Sequence, residues 1–193
     1  MNPDVSLGIA PGSCQVMEML ARKGALAAML DFGARLKYRS NVPKYAQFVF
    51  ENVDVAFPKR CLESKAAGAH NVIVAGESYG QGSSREHAAM CPMYLGGKAV
   101  IAKSFERIHA ANLLNFGIAP LTFKDQADYA AIRAGDKLIC ENWRAAAADG
   151  KPVILKNART GASIECLCGL SARQRSILTA GGLLNHTTSQ AAV

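Results

Sequence analysis

Residues 71–123 read NVIVAGESYGQGSSREHAAMCPMYLGGKAVIAKSFERIHAANLLNFGIAPLTF, and the order of elements in this run sets the architecture. NVIVAG is a short β-branched run closed by glycine, the pattern of a buried strand. A glycine-rich loop follows, then a helix opening near Ser83. KAVIAKS is a second strand. SFERIHAANLLNFG is a helix with Ser104 as its cap and Gly117 as its stop; Phe105, Ile108, Leu113 and Phe116 supply much of its apolar face. IAPLTF returns as an extended segment. The order β-α-β-α-β predicts an α/β fold with a small, largely parallel sheet joined by right-handed crossovers.

Upstream of this run, Pro58 can open a helix that continues through Ala67 and ends at Gly68. Residues 37–60 are aromatic and contain two prolines, which predicts ordered loop carrying short structured pieces. Residues 11–36 read as an N-terminal helical segment. Pro11-Gly12 makes a turn, Ser13 can cap, and Val16, Met19, Leu20, Leu26, Met29 and Leu30 recur at spacings near three and four. Downstream, Lys137–Glu141, Val153–Asn157 and Ser163–Leu167 are strand-like, with Asn157–Gly161 as a hairpin turn. SARQRSILTAGG gives a final helix, capped by Ser171 and stopped at Gly181-Gly182.

Composition narrows the function classes. The 193 residues suffice for one domain, or one domain with a short appendage. Half are hydrophobic and 19% are charged, a globular mixture that excludes disorder. No apolar run approaches the roughly 18 residues that span a bilayer, so no membrane partner is expected. MNPDVSLGIAPGS lacks the basic and apolar regions of a secretory signal. The six cysteines, Cys14, Cys61, Cys91, Cys140, Cys166 and Cys168, form no CxxC pair. They read as reduced thiols of a cytoplasmic protein, and no metal or cluster site is expected on this chain alone. The net charge of +7 is spread along the chain. It suits an anionic small molecule or an acidic partner surface. Nucleic acid is disfavoured, because no stacking platform accompanies the scattered charge.

GESYGQGSSREHAA, residues 76–89, carries the chemistry. It joins a strand end to a helix start. Gly76, Gly80 and Gly82 permit backbone angles and close ligand approach that a Cβ would block. Ser83 or Ser84 sits where an N-cap belongs, and Ser83 and Glu86 have capping-box spacing. Amide N–H groups and the helix dipole favour an anion there. Arg85 adds a planar fork that can hold a carboxylate in two hydrogen bonds. A plain cap and a solvated arginine are the competing reading. No Gly-Lys-Ser/Thr follows, which excludes a Walker loop, and the glycine intervals are wrong for a dinucleotide fold. His87 could act as a general base, but a satisfied helix histidine is the better reading. His70, His109 and His186 are read the same way.

This loop closely resembles the glycine-rich signature of the aconitase superfamily, in its C-terminal swivel domain. The resemblance continues through LGGKAVIAKSFERIHAANLLNFGIAPLTF, upstream to YRSNVPKYAQFVFENVD and downstream to LSARQRSILTAGGLLN, covering roughly residues 38–186. It implies a swivelling β/β/α domain that closes over a 4Fe–4S cluster held by other domains or by a partner. It also implies a hydro-lyase that interconverts citrate and isocitrate through cis-aconitate. Carried onto matching positions, Ser83 resembles the serine whose alkoxide removes the α-proton. Ser84 and Arg85 resemble residues that hold a substrate carboxylate, and Arg39, in YRSN, resembles a further substrate-binding arginine. The iron would act as Lewis acid on the departing hydroxyl.

The pattern departs from the family in one place. Residues 7–36 resemble part of a different aconitase domain, the third, yet the CxxC pair that should follow is missing, as is the Asp-His-Ile segment that normally opens the swivel domain. The reading is therefore a stub over 1–37 joined to a swivel domain over 38–193, inactive alone, with exposed apolar surface or self-association at the domain's entry edge. A tricarboxylate such as citrate, a large cluster-binding subunit and a second copy are the expected partners. The alternatives are a citrate- or anion-binding module without catalysis and a degenerate remnant.

Overall fold

The computed structural model describes residues 5–9, 35–51, 53–81, 86–141 and 143–191. The helical reading of 11–36 lies outside these residues, apart from a 3-10 turn at Arg35–Tyr38. Seven strands form one closed sheet: β1 (Val5–Ile9), β2 (His70–Ala75), β3 (Gly97–Ala102), β4 (Ala119–Phe123), β5 (Lys137–Ile139), β6 (Val153–Asn157) and β7 (Ser163–Leu167). Their spatial order is β1-β2-β3-β4-β7-β6-β5, and β1 pairs with β5 to close the ring. β1 to β4 run parallel, and the β5-β6-β7 portion is antiparallel. The β1–β4 part is the small parallel sheet expected, and an antiparallel half extends it.

The two halves differ because their faces differ. β2 and β3 are buried on both sides. Val72, Val74 and Ile101 point into the barrel, while Ile73, Ala75, Val100 and Ala102 face a helical layer. This accounts for the unbroken β-branched runs NVIVA and AVIA. In β6 and β7 only one face is covered. Val153, Leu155, Ile164 and Cys166 fill the barrel and alternate with outward Ile154, Lys156, Ser163 and Glu165. The helical layer comprises α1 (Val42–Ala46), α2 (Phe57–Ala66), α3 (His87–Tyr94) and α4 (Arg107–Asn115). α5 (Trp143–Asp149), α6 (Ala172–Thr179) and α7 (Leu183–Ala191) complete the chain.

Local signals account for most boundaries. α2 has proline in its first turn, and Gly68 beyond its end takes φ 78°. α6 carries the full capping box, Ser171 with Gln174, and stops at Gly181 and Gly182. Several elements differ from the sequence reading. α4 begins at Arg107 rather than at Ser104, because the Ser104 hydroxyl is engaged elsewhere, as described below. α5 and α7 were not foreseen. α7 is built from LLNHTTSQA, whose hydroxyl residues favour turns over helix. It persists by packing on α6 and α4, with Thr187 and Thr188 donating back to the Leu183 and Leu184 carbonyls. β1 is a strand in a stretch that the sequence reading left without one.

The antiparallel half is tied by Asp136, 4% exposed at the entry to β5. Its carboxylate accepts from Arg159 Nε at 2.5 Å and Nη2 at 2.8 Å, from Asn157 Nδ2 at 2.8 Å and from the Arg133 N–H at 2.9 Å. These donors, the Arg159 guanidinium foremost, hold its pKa well below the usual carboxylate value of 3.8. Charged Asp136 therefore stabilises the fold above about pH 4, and that stabilisation is lost as pH falls below it. Asp136→Ala should cost about 1–3 kcal/mol at neutral pH by orphaning these donors. It should also flatten the acid limb of the stability curve below pH 4, as read by denaturant titration across pH.

Candidate functional site

The loop after β2 is positioned by the segment after β3. The Ser78 N–H donates to Ser104 Oγ at 2.8 Å, and the Tyr79 N–H to the Ser104 carbonyl at 3.0 Å. The Glu106 N–H returns to the Tyr79 carbonyl at 3.0 Å, and the Lys103 N–H donates to the Gly76 carbonyl at 3.1 Å. Tyr79 and Phe105 form a one-residue parallel bridge. Residues 76–79 thus extend the β2–β3 pairing past the end of both strands. Ser104 spends its hydroxyl on this clasp, so α4 starts without a side-chain cap.

Below the loop lies His109, on the first turn of α4. It is 2% exposed, and neither ring nitrogen has a hydrogen-bond partner among the described residues. Burial pushes its pKa down to about 4, so the ring is neutral at physiological pH. It meets Tyr79 edge-on, with ring centroids 5.1 Å apart. Tyr79 is itself buried, which raises its phenol above the usual value of 10. Gly80 rests directly on the imidazole at φ +96°; a Cβ there would come within 2.2 Å of His109 Cβ. Glycine is required at this point both by backbone angle and by space.

On the other side stands the YRSN turn. The Asn41 N–H donates to the Tyr38 carbonyl at 2.8 Å, and the Asn41 side chain caps α1 by accepting from the Lys44 N–H at 3.0 Å. Tyr38 stacks on Phe48 at 5.7 Å. Arg39 projects from this turn and is exposed. His87, the first residue of α3, reaches across: its Nε2 lies 3.1 Å from the Arg39 carbonyl oxygen. A carbonyl only accepts, so Nε2 carries the proton. Its ring also meets Tyr45 edge-on, 5.7 Å between centroids. His87 is therefore the satisfied helix histidine that the sequence favoured, and its effect is to seat the Arg39 turn beside the start of α3.

Gly82, Ser83, Ser84 and Arg85 lie outside the described residues, so the expected capping box and the expected roles of Ser83, Ser84 and Arg85 fall there too. α3 itself begins at His87, with Glu86 at the cap position making no side-chain cap, four residues later than a helix opening near Ser83. Arg39 and Glu86, the residue next to Arg85, are brought to the same end of the sheet through His87. Neither the Arg39–His87 contact nor the support of Gly80 by His109 was legible in the sequence, since both join residues far apart in the chain. The glycine itself, one of three that the sequence reading singled out in this loop, was the one hint.

The described residues do not build a cluster site. Cys61, Cys91, Cys140, Cys166 and Cys168 are unpaired. Burial pushes the thiols of Cys61 and Cys166 up to about 12 and that of Cys91 to about 11. Protonated, enclosed thiols are poor metal ligands, and no group of three or more His, Cys, Asp or Glu side chains converges among the described residues.

Residues 19–126, a span that includes Arg39 and the whole loop, match the family described as the aconitase C-terminal domain. The chain belongs to that family. A mitochondrial aconitate hydratase of Gracilaria gracilis is 52% identical over 81 residues, 42% of this chain and 10% of that protein. A mitochondrial homocitrate dehydratase of Saccharomyces cerevisiae is 39% identical over 106 residues, 55% of this chain and 13% of that one. The crystal structure of a 3-isopropylmalate dehydratase from Methanocaldococcus jannaschii superposes with a TM-score of 0.63 at 32% identity, covering 79% of this chain and 80% of the other. The swivel-domain fold is thereby shared with hydro-lyases that carry different substrate names. The chain spans less than a fifth of the length of the first curated relatives it matches.

The His109–Gly80 contact yields two expectations. Gly80→Ala should destabilise the fold by at least about 2 kcal/mol, from left-handed backbone strain and overpacking together. His109→Phe keeps the ring and removes two unpartnered buried nitrogens, worth about 1–3 kcal/mol, so its Tm should rise. It should also abolish the loss of stability expected of the native chain as pH falls from 6.5 towards 4, the interval in which the unfolded chain binds a proton that the buried ring refuses. Thermal melts across this range check both.

Proposed function

We propose that this chain supplies the swivel-domain half of an aconitase-type active site that interconverts citrate and isocitrate through cis-aconitate. In this reading Ser83 is the base, Ser84 and Arg85 hold one substrate carboxylate, and Arg39 binds the substrate from the opposite turn. The observation that carries the reading is the His87–Arg39 contact. It sets the exposed guanidinium turn beside the start of the helix that the Ser83-Ser84-Arg85 loop enters.

The chemistry asked of these groups follows from their residue types. A serine alkoxide is too basic to persist in water. A neighbouring Arg85 guanidinium and a helix N-terminus lower its cost, and closure against a partner would exclude water. Two arginines, Arg39 and Arg85, can fix two carboxylates and so orient the α-hydrogen towards Ser83 Oγ, which takes the proton and later returns it. When bound by a partner, a 4Fe–4S cluster would supply the electrophile for the departing hydroxyl. The enclosed, protonated cysteines described here are unsuited to hold it, so a large cluster-bearing subunit is the proposed partner and the chain alone is proposed to be inactive.

Calorimetry with citrate tests the binding half. The native chain should bind weakly, in the millimolar range (about −4 kcal/mol), and Arg85→Ala and Arg39→Ala should each weaken binding at least about tenfold. Equal affinity in all three proteins would remove the assignment. Cis-aconitate formation, followed by absorbance, should be absent for the isolated chain. It should appear on addition of a cluster-bearing partner and vanish with Ser83→Ala. Citrate binding without turnover on any such partner would favour the non-catalytic anion-binding reading.

A further inference from the structure

β1 lies between β2 and β5, and this position gives the N-terminal segment a role. Without β1, the barrel would end in two bare edges, β2 on one side and the three-residue β5 on the other. β1 pairs with both: parallel to β2 from Val5↔His70 to Ile9↔Val74, and antiparallel to β5 at Val5↔Leu138 and Ser6↔Lys137. The register is chemically selective. Leu7 and Ile9 stand level with Val72 and Val74, which line the barrel interior. Ser6 and Gly8 stand level with Asn71 and Ile73, on the side that α2 covers. A slip by one residue would exchange these two sets.

We propose that the gap between β2 and β5 is a strand-acceptor site, and that residues Val5–Ile9 are its ligand. The segment fills the gap in cis and is recognised by main-chain pairing and by apolar residues at alternate positions, as in strand addition to an open sheet edge. About 25 residues separate Ile9 from Arg35, long enough for the segment to leave and return without disturbing the rest of the barrel. The proposal is independent of catalysis: it concerns the end of the chain that the family resemblance leaves as a stub, and it stands or falls apart from the roles of Ser83 and Arg85.

The reporters are fixed by the sheet. The Asn71 N–H donates towards β3, to the Gly96 carbonyl at 3.0 Å. Alternation along β2 therefore sends the Ile73 and Ala75 amides to β3 and the Val72 and Val74 amides to β1. Amide exchange on the full-length chain should find Val72 and Val74 protected along with Ile73 and Ala75. In full-length Leu7→Asp, Val72 and Val74 should lose at least about tenfold in protection while Ile73 and Ala75 keep theirs. Adding the synthetic peptide PDVSLGIA should restore it, and the same peptide carrying the aspartate should not. A concentration-dependent dimer whose dissociation exposes Val72 and Val74 would place a second copy's segment in the gap and overturn filling in cis. Free exchange of Val72 and Val74 in the native chain would overturn it. So would unchanged protection in Leu7→Asp, or restoration by both peptides alike. Should Leu7→Asp unfold altogether, the native exchange pattern and a cross-strand nuclear Overhauser contact between Leu7 and Val72 backbones still decide the matter.

Discussion

Ser104 couples the two halves of the site region. One residue accepts two amide hydrogen bonds from the loop after β2, through its hydroxyl from Ser78 and through its carbonyl from Tyr79. A loop rich in glycine has a large conformational entropy to lose, and these bonds restrict it before any ligand arrives. The clasp also presses Gly80 onto His109 and leaves α4 without a side-chain cap. Much of the local geometry follows from that single use of a hydroxyl: the late start of α4, the left-handed glycine and the buried neutral imidazole.

The imidazole is the costly member of this group. A buried histidine with two unpartnered nitrogens is less favourable than an apolar ring of the same shape. It is tolerated because the ring fills the space beneath Gly80 and packs edge-on against Tyr79. His87 shows the contrasting case. It is half-buried, its Nε2–H is satisfied by the Arg39 carbonyl, and it ties the helix start to a turn some fifty residues earlier in the chain. Two histidines on neighbouring helices thus serve the same loop in different ways, one as a neutral packing block and the other as a donor.

Membership of the aconitase C-terminal domain family and the fold shared with a 3-isopropylmalate dehydratase set the frame for the chemistry. The frame is general to hydro-lyases. Among the described residues no group of three or more His, Cys, Asp or Glu side chains converges. The barrel is closed by β1, from a part of the chain whose letters suggested a leftover of another domain. Closure removes two open edges that would otherwise invite pairing with other chains.

The sequence by itself determined the β-α-β-α-β core, the hairpin at Asn157–Gly161 and the α6 cap, because each is written in local chemistry: β-branched runs, a left-handed glycine, a serine with a glutamine three residues on. It also determined the family, because GESYGQGSSREHAA is a contiguous motif. The tertiary structure alone decided where Ser104 spends its hydroxyl, which turn His87 holds, what Gly80 rests on and which strand closes the barrel. These contacts join residues from about 25 to about 130 positions apart, and α7 forms from a weakly helical stretch only because α4 and α6 are there to pack against it. Local propensity carries no record of such partners, since their stability arises from surfaces that meet only after the chain has folded.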